Sequence, residues 1–517
     1  MNLTKLKKIR IGVSLFFFLL LSFLFIDPRN SIPIPVIDLL SSIQLVPALL
    51  MISTSFGFAA AALFFIIILT LLFGRVYCST ICPLGTFQDI VIYIKKKTNK
   101  RFRLSYLKPS YAFHYFFLGL IFTCVLIGSS IFLNLLEPFS NYGRLLTTLI
   151  EPLTTLLNNG LAAILSRFQI YFLYDIPLRS IETSLLFGSI FFLFLFSYLS
   201  YFHGRLFCNS FCPAGAVLGL LSRFTIFKMI VDKNTCTECG ACEKVCKANC
   251  IESKTKKIDF SACIGCFNCI KSCPTDGIIY QRAQYSKSIQ DNRFDSSRRF
   301  FFQSISIPIA ASIIQTTSQT DTTRSGYWAA KRSPVSPPGS KSVQHFSNYC
   351  TACSLCVTEC PTQVLYPSFV EYGFAGLFQP KMNYDASYCN YECTTCGDVC
   401  PTGAILPLSI MEKKLVQIGK AVFIKDDCVV AAKKKDCAAC SEHCPTKAVS
   451  TVPYEGKLKI PELNNDICIG CGACEHACPT TPRKAIYITS NSVHLQAQKP
   501  KVQKQDKVFD DTKDFPF

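Results

Sequence analysis

Charged residues are scarce: Asp, Glu, Lys and Arg make up 17% of the 517 residues, and half of the chain is hydrophobic. An average soluble domain carries about 25% charge. The shortage excludes a disordered polyelectrolyte and fits poorly with an ordinary soluble globule. Histidine is also rare, six in all, and only His114 and His203 lie near apolar runs. The four axial ligands of a dihaem membrane core are therefore missing. No Cys-x2-Cys-His stretch occurs, which removes c-type haem, and no Gly-x-Gly-x-x-Gly fingerprint, which removes the usual NAD or FAD cradle. The expectation is no haem, no flavin and no NAD. Cysteine, by contrast, is plentiful. Its 30 residues still fall below the roughly 8–10% of a disulfide scaffold, and the chain is far too long for one.

The formal charge of +19 is not read as a nucleic-acid signature. More than half of the excess lies in residues 1–110, where thirteen Lys and Arg face three Asp and flank apolar runs. Basic residues so placed are topology signals, and no nucleic acid is expected as a partner. Four runs approach the ~20 apolar residues that cross a bilayer: 11–26, 56–73, 111 to about 136, and 184–202. No small-residue cleavage site follows the first, so it reads as an anchor and not a secretory signal. The stretch 75–110 holds eight Lys or Arg against Asp89, whereas 27–55 holds Arg29 and 134–183 holds Arg144, Arg167 and Arg179. Positive charge stays inside, which puts the N-terminus, 75–110 and the residues just past 202 in the cytoplasm. Residues 145–168 of the external loop are expected along the membrane surface as an amphipathic helix pair.

Of the 30 cysteines, 28 fall into eight motifs. Six are runs of four: Cys236, Cys239, Cys242 and Cys246; Cys263, Cys266, Cys269 and Cys273; Cys350, Cys353, Cys356 and Cys360; Cys389, Cys393, Cys396 and Cys400; Cys428, Cys437, Cys440 and Cys444; Cys468, Cys471, Cys474 and Cys478. Four have strict C-x2-C-x2-C-x3-C spacing; the run at 389 opens with x3 and that at 428 with x8. Five end in Cys-Pro, and Cys246 is followed by Lys247. Three cysteines two residues apart wrap three iron corners of a cubane, and the fourth reaches the other cluster of a pseudo-twofold pair. Soft thiolates favour iron–sulfur or zinc over hard metals. Zinc sites use two separated cysteine pairs or mix in histidine, so the pattern predicts six [4Fe–4S] clusters on 24 cysteines. In the first module Cys236, Cys239 and Cys242 take Cys273, and Cys263, Cys266 and Cys269 take Cys246. The four later runs either pair in sequence or nest, and spacing does not choose. Cys250 reads as a bystander and Cys124 as packing.

The remaining two motifs are Gly74-Arg-Val-Tyr-Cys78-x3-Cys82-Pro83 and Gly204-Arg-Leu-Phe-Cys208-x3-Cys212-Pro213. Each follows an apolar run, so duplicated helix pairs would deliver Cys78, Cys82, Cys208 and Cys212 to one face. A seventh cluster, another metal, a dithiol couple and a partner-docking element are all open readings. Glu137, Arg144 and Glu151 are candidates for quinone proton chemistry. Ser297-Arg298-Arg299 before the apolar residues 305–314 has the form of a twin-arginine export signal. Residues 316–345 read as a Pro- and Ser-rich linker and 493–517 as a solvated, disordered tail.

Residues 1–280, with these runs and both Cys-x3-Cys-Pro motifs, resemble the NapH-type membrane ferredoxins. Residues 295–490 resemble the NapG-type exported ferredoxins in the Arg298-Arg299 signal, Pro337-Pro338-Gly339, and Cys468-Ile-Gly-Cys-Gly-Ala-Cys-Glu-His-Ala-Cys478-Pro479. The fold class expected is an α-helical membrane domain of four spans plus α+β bacterial-type two-cluster ferredoxin modules. Its divisions are a membrane domain (1–230), a cytoplasmic two-cluster module (231–282), signal and linker (283–345), a four-cluster domain (346–490) and a tail (491–517). The resemblance implies a fusion in the bacterial inner membrane with a periplasmic four-cluster domain. Such a chain passes electrons from menaquinol or ubiquinol to a terminal reductase or haem-bearing carrier. Lipid and quinol are then its small partners. An assembly or copper-reducing factor shares only the first half, and a redox-sensing regulator needs a flavin domain for which 27–55 is too short.

Overall fold

The computed structural model describes residues 3–27, 31–52, 56–99, 104–105, 107, 111–179, 181–232, 234–282 and 334–499. The twin-arginine segment, the apolar stretch 305–314, the linker up to 333 and the tail from 500 lie outside the described residues.

A proline-free series of Leu, Ile and Phe carries helix α1 over Leu3–Ile26, ~36 Å at 1.5 Å per residue. It stops where Pro28 follows Asp27, because the residue before a proline is pushed out of the helical region. Helix α1 and helix α11 (Thr183–His203) are long and apolar enough to cross a membrane. Helices α4 (Phe56–Phe73) and α7 (Tyr111–Leu126) are apolar but shorter, ~27 and ~24 Å against a hydrocarbon core of ~30 Å. The expected third run is not one helix. Gly128 takes φ +84 and the chain restarts as α8 (Ile131–Leu136). That break turns Ser130 toward the C-terminal part, where its hydroxyl donates to the Ser347 carbonyl at 2.7 Å.

Between α1 and α4, α2 (Ile34–Ser42) and α3 (Leu45–Met51) form a pair bent by 105°. Gln44 at the bend accepts a hydrogen bond from the Tyr77 hydroxyl at 3.0 Å. Both α4 and α11 end on a left-handed glycine, Gly74 and Gly204. Short helices α5 (Tyr77–Thr80) and α12 (Leu206–Ser210) follow, then α6 (Pro83–Thr98) and α13 (Pro213–Leu221), each with proline at its first position. Corresponding residues stand 130 apart, the mark of a duplicated unit. The expected pair over 145–168 is instead the end of α9 (Pro138–Leu145), one π-turn, and α10 (Glu151–Arg167). Leu153, Leu156, Leu157, Leu161 and Ile164 form an exposed apolar stripe on α10, the face of a helix that lies in an interface.

The ferredoxin parts are loops held by two-stranded antiparallel sheets. β1 (Phe227–Val231) pairs with β4 (Ile278–Arg282), enclosing β2 (Ile251–Glu252) and β3 (Lys257–Ile258). In the C-terminal part β5 (Leu365–Pro367) pairs with β6 (Pro380–Met382), β8 (Val449–Pro453) with β9 (Lys459–Leu463), and β7 (Val416–Phe423) with β10 (Ile486–Gln496). Two expectations need correcting here. Residues 493–499 are not all tail, since Leu495 and Gln496 pair with Gln417 and Val416 and the Ala497 amide donates to Leu415. Residues 335–340 are not linker, because they are small enough to be buried and they bond to Met382 and Leu406.

The two ferredoxin parts grip opposite ends of α1. Phe25, Phe139 and Tyr142 share a core with Phe346, Leu355 and Cys353. Near the other end Arg10 meets Ser79 and Asp89, and Asp89 holds Lys247 of the first module.

Candidate metal centres

Every strict cysteine run winds the same way. Glu238 and Gly240 bracket Cys239, Gly265 and Phe267 bracket Cys266, Ala352 and Ser354 bracket Cys353, and Gly470 and Gly472 bracket Cys471, all at φ between +55 and +81. For residues with a side chain this conformation costs about 1–2 kcal/mol each. Its repetition at fixed offsets means that the loop requires it. Such turns aim successive amides into a concavity that favours anions; the Ala352 amide donates to Cys350 Sγ at 3.4 Å. The third residue after the fourth cysteine is also left-handed in five runs (Asn249, Asp276, Gln363, Gly403, Lys447). The runs at 389 and 428, whose spacing departs, lack the bracketing pair.

In the first module the fourth cysteine of each run lies near cysteines of the other run. Cys242 faces Cys236 and Cys273, and Cys269 faces Cys263, Cys266 and Cys246. In the C-terminal part the pairing is sequential, not nested. Cys350, Cys353 and Cys356 gather with Cys400, and Cys389, Cys393 and Cys396 with Cys360. Cys428, Cys437 and Cys440 gather with Cys478, and Cys468, Cys471 and Cys474 with Cys444. The Cys389 amide donates to the Cys471 carbonyl at 2.9 Å, joining the two pairs.

These groups fit a cubane. One cavity is lined by Cys428, Cys437, Cys440 and Cys478, another by Cys246, Cys263, Cys266 and Cys269. Among the described residues no three His, Cys, Asp or Glu converge closely enough for a single metal ion. A cubane spreads its thiolates over four iron corners, and each of these cavities offers four cysteines of the crossed set. Cys250 lies beside the ligand set. Its sulfur lies 3.6 Å from Cys246 Sγ and lines the same cavity as Cys263 and Cys266.

The sequence reading missed the threonine that follows each Cys-Pro. Thr275, Thr362, Thr402, Thr446 and Thr480 place Oγ1 3.1–3.8 Å from the sulfur of the cysteine two residues before. The signal was present as Cys-Pro-Thr, repeated five times. Hydrogen bonds to sulfur tune the potential of a bound cluster.

Cys78, Cys82, Cys208 and Cys212 are all buried, and the fold brings the two motifs together. Arg75 of the first motif donates to the Cys208 carbonyl of the second at 2.9 Å, and Arg205 of the second donates to the Cys78 carbonyl at 2.7 Å. A Cβ on Gly85 would stand 2.3 Å from the Cys78 oxygen, and one on Gly215 2.2 Å from that of Cys208. Asp89 accepts from Arg205, Arg10 and Lys247 at 2.9–3.2 Å. Burial opposes its charge, but Arg205, Lys247 and Arg10 hold the carboxyl well below the usual range. His114 is buried, with Nε2 3.1 Å from the Cys212 carbonyl.

Of the three quinone candidates, two are occupied in holding the fold. Glu137 caps α9, accepting from the Phe139 and Ser140 amides. Arg144 donates to the Asn134 carbonyl and Asn141 Oδ1 and lies over the Phe378 ring. Glu151 alone opens on a cavity. That cavity, about 270 Å³, lies between α10, residues 174–181 and the Cys360 loop.

Repeated thiol groups in two-stranded ferredoxin frames define an iron–sulfur electron-transfer protein of several 4Fe-4S domains, which also carries two apolar helices long enough to cross a bilayer. A 4Fe-4S binding domain family matches residues 55–101 and 184–233, and 4Fe-4S dicluster domain families match 228–274, and 349–404 with 435–481. Ferredoxin-type protein NapF of Escherichia coli K12 is 27% identical over 163 residues, 32% of this chain and 91% of NapF. Methylamine utilization ferredoxin-type protein MauM of Methylorubrum extorquens is 32% identical over 158 residues, 29% of this chain and 70% of MauM. An uncharacterized protein of Methanocaldococcus jannaschii is 28% identical over 235 residues, 45% of this chain and 83% of its own. The chain belongs to the 4Fe-4S polyferredoxin family that includes these ferredoxin-type proteins.

Proposed function

We propose that the chain is the electron-transfer component of a quinol dehydrogenase, a fusion of NapH-like and NapG-like parts with four spans. It takes electrons from menaquinol or ubiquinol and delivers them to a respiratory reductase or a haem-bearing carrier. In this reading the N-terminus and the 231–282 module are cytoplasmic and the four-cluster domain is periplasmic.

The observation that carries the reading is the cavity beside Cys360. Its volume is near the ~300 Å³ at which ligand pockets begin, and it adjoins the exposed apolar stripe of α10, so a ring enters with its tail left in lipid. Burial raises the proton affinity of Glu151, and Arg179, 3.2 Å away, works in the opposite direction. Arg179 also donates to the Val357 carbonyl at 2.8 Å. It thereby ties the proton acceptor to the helix between Cys356 and Cys360. Quinol becomes quinone by releasing two electrons and two protons; Glu151 takes one proton and the outer aqueous side the other. When bound, a [4Fe–4S] group takes up and returns one electron at a time, which splits the pair.

The test is quinol oxidation by the anaerobically purified full chain with an artificial acceptor. Glu151→Gln should lower the rate by roughly 10²–10⁴ with iron content unchanged. An unchanged rate, or no activity in fully loaded wild type, rejects the reading. An alkaline-phosphatase fusion after Ile410 should be active; an inactive one rejects the outward placement.

A further inference from the structure

Each Cys-x3-Cys-Pro motif supplies only two thiols, half of what a cubane requires. The fold makes up the number. Every pair among Cys78, Cys82, Cys208 and Cys212 lies within electrostatic reach. The crossed bonds of Arg75 and Arg205 lock each motif to its copy. Gly85 and Gly215 leave the backbone room to close.

The charge around them requires an anion. Arg75 is 1% exposed and bonds only neutral oxygens, from Asn209, Ser261 and Cys208. No carboxylate among the described residues pairs with it. A buried guanidinium without a counter-charge is strongly unfavourable. Asp89 does not relieve this, since it already serves Arg205, Arg10 and Lys247. Neutral thiols or a disulfide leave the excess positive charge in place. Four thiolates on a [4Fe–4S]²⁺ core carry a net charge of two minus, which offsets most of it.

We propose that Cys78, Cys82, Cys208 and Cys212 form one shared ligand set for a seventh iron–sulfur cluster, placed between the two ferredoxin parts as the link that joins them. The inference rests on the chain being an iron–sulfur protein and is independent of quinol oxidation. On one side the Arg75 guanidinium bridges the Cys208 carbonyl to that of Ser261, two residues before Cys263. On the other side, Ser14 of α1 meets Thr86, and Phe25 packs on Phe139 beside the Cys353 loop. Those two levels are ~17 Å apart along the helix. Phe87 packs against both cores, and Glu137 lies within electrostatic reach of both Tyr77 and Cys353. Held by these four cysteines, a cluster would take one electron from one neighbour and pass one to the other without moving a proton.

The experiment counts metal in the full chain, prepared anaerobically in nanodiscs. Wild type should hold ~28 iron and ~28 acid-labile sulfide, and Cys78→Ser/Cys208→Ser ~24 of each, four irons per cubane. A wild-type value of ~24 without another metal overturns the proposal. So does ~24 iron with one zinc or copper that the variant loses, which would mark a single-ion site. If the double variant loses all its iron, the wild-type count and its Mössbauer spectrum still decide. A second measurement tests the link. Proteoliposomes receive dithionite from outside only: wild type should bleach completely, whereas the variant should bleach only in the exposed module. Complete bleaching of the variant at the wild-type rate overturns the linking role.

Discussion

Asp89→Asn should loosen the seat of the first ferredoxin module. The carboxylate is 12% exposed and shared by three cations, Arg205, Arg10 and Lys247. An asparagine of the same shape offers one neutral acceptor and leaves the others facing nothing. Removing one partner of a buried pair costs roughly 3–5 kcal/mol, and the small exposure argues for about 3. That is a ~100-fold change in an opening equilibrium. The Arg205 amide donates to the Lys247 carbonyl at 2.7 Å, so its hydrogen exchange reports that opening directly. Exchange there should accelerate ~100-fold, with amides of β7 unaffected. Because the folded carboxyl titrates below the ordinary range, its contribution is complete above the unfolded value and is lost only in strong acid. The acceleration should therefore be the same at neutral and mildly alkaline pH. Adding Lys247→Met should recover part of the loss, since one uncompensated cation is removed. An increase below about threefold in Asp89→Asn would refute the argument, because it corresponds to well under 1 kcal/mol.

Thr480→Val removes the hydroxyl 3.1 Å from Cys478 Sγ. It should lower the reduction potential of the group on Cys428, Cys437 and Cys440 in an EPR-monitored titration, and an unchanged potential would count against the Cys-Pro-Thr role. Cys250→Ala should leave iron content unchanged while lowering the potential of the group that includes Cys246, because the neighbouring thiol is lost; loss of four irons would instead make Cys250 a ligand. Burial lowers the His494 pKa to about 4, so stability is complete above about 6.5 and falls as pH drops through that window. About 2 kcal/mol should be lost by pH 5 in chemical denaturation of the holoprotein, and His494→Gln should flatten the curve.

The cysteine runs were legible because their chemistry is local: two-residue spacing states which thiols share a loop. Pairing was legible only in the first module, where two runs leave one crossing; with four runs, contacts such as Cys389 to Cys471 decide, and no spacing encodes them. Arg75 was visible as a basic residue after an apolar run, and charge counting treated it as a topology signal. Its actual partners are 133 to 186 residues away. Composition misjudged 335–340, where Ser336 and Ser340 are buried, the Val335 carbonyl accepts from the Met382 amide, and Gly339 leaves no room for a side chain beside Leu406 and Ile405. Hydropathy extended the third run past Leu126 because Ile131–Leu136 is equally apolar, and only Gly128 marks the turn.

The seam at Gly143 has a practical consequence. A Cβ there would stand 2.5 Å from the Cys353 carbonyl and 2.7 Å from the Phe25 ring, so the C-terminal ferredoxin part abuts α9 with no side chain between. Cut free, residues 334–499 would carry away a raw apolar face and lose the wall behind Cys353. This part is therefore fixed against the helices and is not a shuttle: any electron-transfer partner must come to it.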